Sequence, residues 1–143
     1  SSFGRVFDAV CSLANTLHIQ EYEGQTGLYL ENLYDENIKD AFSFDLIDNI
    51  IDISPMIKEL VFEKDKKIIA SKFINTLANI IFDISNLYKD LAIVLSGGVF
   101  QNRTLLKIVF EKLKEKEIYI GENYSVNDEN ISLGQAFFTL ENI

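Results

Sequence analysis

The segment Ile93-Val94-Leu95-Ser96-Gly97-Gly98-Val99-Phe100-Gln101-Asn102-Arg103 precedes an amphipathic run over residues 104–116 and leaves the chain few choices. The aliphatic stretch 91–95 predicts a buried strand, and Leu105, Leu106, Val109, Phe110 and Leu113 predict a helix after it. Between them, two adjacent glycines permit φ > 0 and let the backbone come very close to a ligand. The first turn of the next helix offers N–H groups without intrahelical partners, which suit an anion or a polar ring system. Strand–Gly-Gly–helix is a common way to hold a nucleotide, and also a common way to pack a helix closely on a strand. On this segment alone both readings stay open.

Elsewhere the periodicity is mostly helical. Phe3, Val6, Phe7, Val10, Leu13, Ala14 and Leu17 form one stripe and predict a helix over 3–17. Gly4, Asp8, Cys11 and Asn15 share its opposite side, spaced by four, three and four. Glu23-Gly24-Gln25 reads as a turn into a short helix carrying Leu28, Leu30 and Leu33. Phe42-Ser43-Phe44-Asp45-Leu46 and Ile50-Ile51-Asp52-Ile53 read as two short strands joined at Asp48-Asn49. Ser54 as N-cap and Pro55 at the first helical position then start a helix, and residues 64–67 form a charged break. Ile69, Phe73, Leu77, Ile80, Ile81, Ile84 and Leu87 make a broad stripe on the longest helix, 69–87, with Ser71, Asn75 and Asn79 on its other side. Ile118-Tyr119-Ile120 reads as a strand and 132–140 as a closing helix.

At 143 residues the chain has the length of one domain, 1–143, and its 48% hydrophobic content is enough for a core. Twenty-two acids against 13 bases give a net charge of −9, which argues against a phosphate-backbone binder and so against nucleic acid. No uninterrupted apolar run approaches about 18 residues, so no membrane partner is expected. The one cysteine, Cys11, can form no internal disulfide, which fits a reducing, cytoplasmic setting. The chain starts at Ser1 without a lead-in to its first motif and is expected to be cut from a longer protein.

Four motifs, in this order, resemble one family: Ser2-Phe3-Gly4-Arg5-Val6-Phe7-Asp8-Ala9-Val10; Tyr22-Glu23-Gly24-Gln25; Leu95 to Arg103; and Val126-Asn127-Asp128-Glu129-Asn130-Ile131-Ser132-Leu133-Gly134-Gln135-Ala136. Together they are similar to the C-terminal, Kae1-like part of the hydrogenase-maturation carbamoyltransferases, the HypF proteins. That part is in turn similar to the Kae1/TsaD proteins, which make threonylcarbamoyl-adenosine in tRNA. The resemblance implies an α/β fold: the helix-rich C-terminal lobe of an actin/hexokinase/Hsp70-like ATPase fold, with a small mixed sheet. It implies that the full-length protein passes a carbamoyl group from carbamoyl-adenylate to the C-terminal cysteine of HypE, the product becoming the cyanide ligand of the [NiFe]-hydrogenase iron. The carbamoyl-adenylate is expected from ATP, through a YrdC-like domain of the same full-length chain. This fragment alone is expected to be inactive. A TsaD/Kae1-like fragment is the alternative, disfavoured because Val99-Phe100 stands where those relatives have Ala-Ala. A kinase-type lobe, or a non-catalytic nucleotide-binding module of the same superfamily, is a third reading.

Each site residue carries an ordinary reading beside the implied one. Asp8 could belong to a solvated helix face; the resemblance implies that it binds nucleotide ribose. Asn102 suits an N-cap, while the resemblance implies contact with the nucleoside, and both roles can hold together. Gly24 could simply relieve a turn; the resemblance adds it, with Gly97 and Gly98, to the nucleotide-binding set. Glu23 and Gln25 favour the carbamoyltransferase branch. Ile74 stands where the family usually has a His, so no chemistry is assigned to Phe73-Ile74-Asn75-Thr76. Cys11 is most simply a small packed residue, and His18 closes the first helix.

Asp128, before the last helix, is by itself a charge favourable to the helix dipole. The resemblance implies that in the full-length protein it binds iron or zinc with two His from an H-x-x-x-H helix, which this chain, with His18 as its single histidine, does not contain. In the full-length protein Asp128→Ala is therefore expected to lower iron or zinc content, because loss of one ligand from a small set weakens a site sharply. Elemental analysis of the purified variant checks this, and unchanged occupancy would leave Asp128 a helix-end charge.

Overall fold

The computed structural model describes residues 2–121, 126 and 130–141. Helix α4 (Lys66–Leu87) runs through the middle, and around it lie α1 (Phe3–Leu13), α2 (Gln25–Leu33), α3 (Ser54–Leu60) and α5 (Arg103–Lys112). Two strands of an antiparallel hairpin, β1 (Asp45–Ile47) and β2 (Ile50–Asp52), precede α3. Strand β3 (Ile93–Leu95) pairs in parallel with β4 (Ile118–Ile120), and α6 (Ile131–Glu141) follows. Among the described residues the mixed pairing is divided between two separate two-stranded sheets, one of each kind. One apolar cluster joins Phe7, Val10 and Cys11 of α1 to Leu30, Met56, Leu60, the inner residues of α4, Leu95, Leu105 and Val109. Phe7 and Phe73 meet edge to face at 4.8 Å, a favoured aromatic geometry.

The hairpin forms where the sequence places it. Asp48 and Asn49 both adopt positive φ, 50° and 63°, as a two-residue turn matched to strand twist requires. Other boundaries shift. The first helix stops at Leu13 rather than 17, because Asn15 turns left-handed (φ 50°). The Asn15 N–H then bonds the Ser12 carbonyl and the Thr16 N–H the Cys11 carbonyl, which closes the helix with a Schellman motif. His18 consequently lies in the turn beyond the helix and does not act on its dipole. Ile53 takes the N-cap position of α3 expected for Ser54, one residue earlier. Asp52 organises this entry, its Oδ1 accepting from both the N–H and the hydroxyl of Ser54. Helix α4 begins inside the expected charged break, capped by Asp65, whose carboxylate accepts from the N–H groups of Lys67 and Ile68. The strand expected over 91–95 contracts to β3, and only one of its faces is inward. Val94 and its register partner Tyr119 are 71% and 53% exposed on the other.

The largest departure concerns α4. Its composition and length are those of a membrane-crossing helix, yet most of its apolar stretch is buried in the fold, as suits a core helix. The polar side expected at Ser71 and Asn75 is buried too. Those side chains serve the irregular chain over 35–42. The Asp35 N–H donates to Ser71 Oγ at 2.8 Å, and the Phe42 N–H donates to Thr76 Oγ1 at 2.8 Å. Asn75 Nδ2 donates to the carbonyls of Ile38 and Asp40, both at 2.9 Å, while its Oδ1 accepts from the Tyr34 hydroxyl at 3.1 Å. Backbone groups on a path without regular pairing need such partners. Further along, Glu59 accepts from the Ser43 N–H at 3.1 Å and lies 3.8 Å from Lys72 Nζ. The Ser43 contact holds the Glu59 carboxyl below its ordinary pKa, against partial desolvation.

Asn75→Leu removes three bonds and leaves two carbonyls and a hydroxyl without their partner. It is expected to destabilise the chain by about 2–4 kcal/mol, read from the urea midpoint at unchanged slope. A loss below about 0.5 kcal/mol would show that residues 34–40 hold their path without Asn75.

Candidate functional site

The first turn of α2 is where the implied nucleotide residues gather. Gly24 is its N-cap in the left-handed conformation (φ 80°), which costs glycine little. Thr26, the second residue of the helix, donates its hydroxyl to Asp8 Oδ1 of α1 at 2.9 Å. Gln20, from the preceding loop, donates its amide to the same oxygen at 2.5 Å. The other oxygen, Oδ2, has a long 3.5 Å contact with Arg5. Phe7, beside Asp8, packs next to Gly27, whose Cα would carry a Cβ at 3.9 Å from the ring. From the far side, Asn102 donates its side-chain amide to the Gly27 carbonyl at 3.4 Å. Asp8, Gly24 and Asn102 therefore converge on one helix end.

The glycine turn lies next to them. Gly97 takes φ 107° and ψ 154°, a backbone region essentially reserved for glycine. Gly98 opens a short 3-10 turn (Gly98–Gln101) that touches α1. A Cβ built on Gly24, Gly97 or Gly98 would meet nothing within 4 Å among the described residues. The space over these glycines is open, as a surface that accepts a ligand against its backbone requires. The Gly97 N–H donates to the Val126 carbonyl at 2.6 Å, which brings Val126 up to this turn.

The helix end after the turn is not open, contrary to the expectation of free N–H groups. Asn102 caps α5 with its side chain: Oδ1 accepts from the Leu105 N–H at 2.8 Å, and the residue is 6% exposed. Glu31 of α2 reaches across to accept from the Thr104 N–H at 2.7 Å. A carboxylate thus occupies the positive end of the α5 dipole, and an anion has no place there. The capping role read for Asn102 is present: its Oδ1 caps α5, and its amide nitrogen donates to the Gly27 carbonyl.

Cys11 is fully buried and its thiol is 3.8 Å from the Thr26 carbonyl. Burial pushes its pKa up, the opposite of what a nucleophile needs. Asp128 lies outside the described residues. Among the described residues no group of three or more His, Cys, Asp and Glu side chains could hold a metal ion, so they supply no metal centre. Gln25 accepts from the Glu21 N–H and shapes the loop before α2. A separate depression of about 310 Å³, lined by Tyr34, Lys39, Asn75, Ile108 and Glu111 among others, includes none of the nucleotide set. Thr26, Gln20 and Glu31 were not singled out in the sequence. They act over separations of 18, 12 and 73 residues, which no local pattern signals.

Residues 1–135 match the family model described as carbamoyltransferase, Kae1-like domain, second subdomain. The chain is 32% identical over 122 residues to the carbamoyltransferase HypF of Synechocystis sp. (strain ATCC 27184 / PCC 6803 / Kazusa), a match that covers 80% of this chain and 16% of that protein. In structure it is similar to full-length HypF crystallised in a phosphate- and nucleotide-bound form, with a TM-score of 0.88 and 35% identity over 95% of this chain and 24% of that one. It also shares the fold of T. kodakarensis HypF, with a TM-score of 0.79 and 22% identity over 99% of this chain and 20% of that one. The chain spans about a sixth to a quarter of the length of these relatives. With the strand–Gly-Gly–helix turn set beside Asp8 and Gly24 on an α/β lobe, this chain belongs to the HypF carbamoyltransferase family, as the second subdomain of its Kae1-like domain.

Proposed function

We propose that, as part of the full-length carbamoyltransferase, this lobe holds the adenosine half of carbamoyl-adenylate while the carbamoyl group passes to the C-terminal cysteine of HypE. In that transfer the cysteine sulfur bonds to the carbamoyl carbon, the bond from that carbon to the adenylate phosphate oxygen breaks, and AMP leaves with the electron pair. The thiol proton goes to solvent. The observation that carries the reading is the open surface over Gly24, Gly97 and Gly98 beside a carboxylate, Asp8, with one oxygen lightly engaged. It is supported by the nucleotide held in the similar full-length HypF.

Each residue has a role in this reading. Asp8 Oδ2 accepts a ribose hydroxyl. Asn102, whose amide donates one N–H to the Gly27 carbonyl, offers its second amide N–H to the nucleoside, and Gly97 and Gly98 keep the wall free of side chains. The phosphates point away from α5, whose first turn Glu31 already fills. Asp128 binds iron or zinc in the full-length protein, together with two His of an H-x-x-x-H helix that this chain, with His18 as its single histidine, does not contain. The carbamoyl-adenylate is made from ATP by a YrdC-like domain of the same chain. The protein is cytoplasmic and engages neither nucleic acid nor membrane. The net charge of −9 supports the exclusion of nucleic acid.

In the full-length protein Asp8→Ala is expected to weaken a non-hydrolysable adenylate analogue about tenfold or more, because a charged hydrogen bond is worth roughly 1.5–3 kcal/mol. Calorimetric titration measures it, and unchanged affinity would leave Asp8 a structural acceptor for Thr26 and Gln20 alone. Gly98→Ala provides a second test, since its Cβ enters open space. It is expected to leave the thermal midpoint within a few degrees of wild type and still weaken the same analogue by fouling the ligand wall. Equal affinity would move the nucleotide away from the glycine turn.

A further inference from the structure

We infer that Thr26 is a positioning residue for Asp8: it fastens one carboxylate oxygen so that the other is presented to the nucleotide. This rests on the reading of Asp8 as a ribose ligand. Thr26 is 3% exposed at the start of α2, and its hydroxyl donates to Asp8 Oδ1 at 2.9 Å. Gln20 donates to the same oxygen. A carboxylate oxygen has two lone pairs, so Oδ1 is filled. Oδ2 keeps capacity, because its contact with Arg5 is 3.5 Å long and the arginine side chain is 82% exposed. The hydroxyls of a ribose are donors of the kind Oδ2 can accept.

Of the two groups on Oδ1, Thr26 is the one that can fix direction. Gln20 is an exposed loop residue with a long flexible side chain. Thr26 is β-branched, on a helix, and held again at its carbonyl by the Cys11 thiol at 3.8 Å. Asp8 and Cys11 are one turn apart on α1, so the two side chains grip Thr26 by its hydroxyl and its carbonyl. The carboxylate also lies against the first turn of α2, where the helix dipole favours negative charge. A swing of Asp8 about its χ angles would break the Thr26 bond, and that cost holds Oδ2 on its line.

The test is calorimetric titration of the full-length protein with the non-hydrolysable adenylate analogue, on wild type and five variants. Thr26→Val keeps the branched shape and removes the hydroxyl, and Thr26→Ala is a second hydroxyl-free variant of smaller volume. Both are expected to weaken binding about three- to tenfold, while Thr26→Ser, which keeps the donor, stays within about twofold of wild type. The double variant Asp8→Ala/Thr26→Val is expected to bind no more weakly than Asp8→Ala, as for two residues acting through one contact. If Asp8→Ala weakens binding but both hydroxyl-free variants bind as wild type, Thr26 does not position Asp8. The same holds if Thr26→Ser loses as much as Thr26→Val, or if the double variant loses the product of the two effects, since Thr26 then acts through packing. If Asp8→Ala itself binds as wild type, the nucleotide reading of Asp8 fails and the inference falls with it.

Discussion

The arrangement depends on a core helix that is polar along one side and buried there. Ser71, Asn75 and Thr76 of α4 have no water to turn to, so they must find partners within the protein. They find them in the backbone of residues 35–42, a stretch without a helix or strand of its own. Each side needs the other: the helix needs acceptors and donors inside the core, and the irregular chain needs its peptide groups satisfied. That mutual requirement sets where the chain goes after α2, and so sets α2 against α4. Once α2 is placed, its first turn comes against Asp8 and its Gly27 carbonyl against Asn102.

What the sequence made legible is what local chemistry decides. Asp48-Asn49 between two apolar runs can form a tight turn, and it does so with both residues at positive φ. The glycine turn, β4 and the closing helix follow the same logic. What it hid depends on distant partners. The apolar stripe of α1 carries on to Leu17, so the stop at Asn15 shows only when the two Schellman bonds are seen. Ser71 and Asn75 looked solvent-facing because their spacing matches the polar side of an amphipathic helix. Their partners are main-chain atoms more than thirty residues away, which carry no side-chain signature.

The same division runs through the site. Asp8, Gly24, Gly97, Gly98 and Asn102 came from motifs that resemble a family, and the fold brings Asp8, Gly24 and Asn102 to one helix end beside the glycine turn. Their supports were not legible. Thr26 is an unremarked polar residue after Gln25, and Glu31 reads as an ordinary helix-surface charge. The inviting feature, a free helix N-terminus after a glycine turn, proved occupied, because a side chain from another helix had reached it first. Strand–Gly-Gly–helix therefore does not by itself identify which groups could face a ligand.

The reach of Glu31 has a mechanical consequence. Helix α2 grips the head of α5 at two points one turn apart, through the Gly27 carbonyl and the Glu31 carboxylate. Two such fastenings resist both sliding and pivoting, so the two helices form a bracket with the glycine turn slung across its mouth. Conformational slack in Gly97 and Gly98 can then alter the floor of that mouth without widening it. The span between the two helix heads is thus kept by the helices themselves and not by the turn that joins β3 to α5.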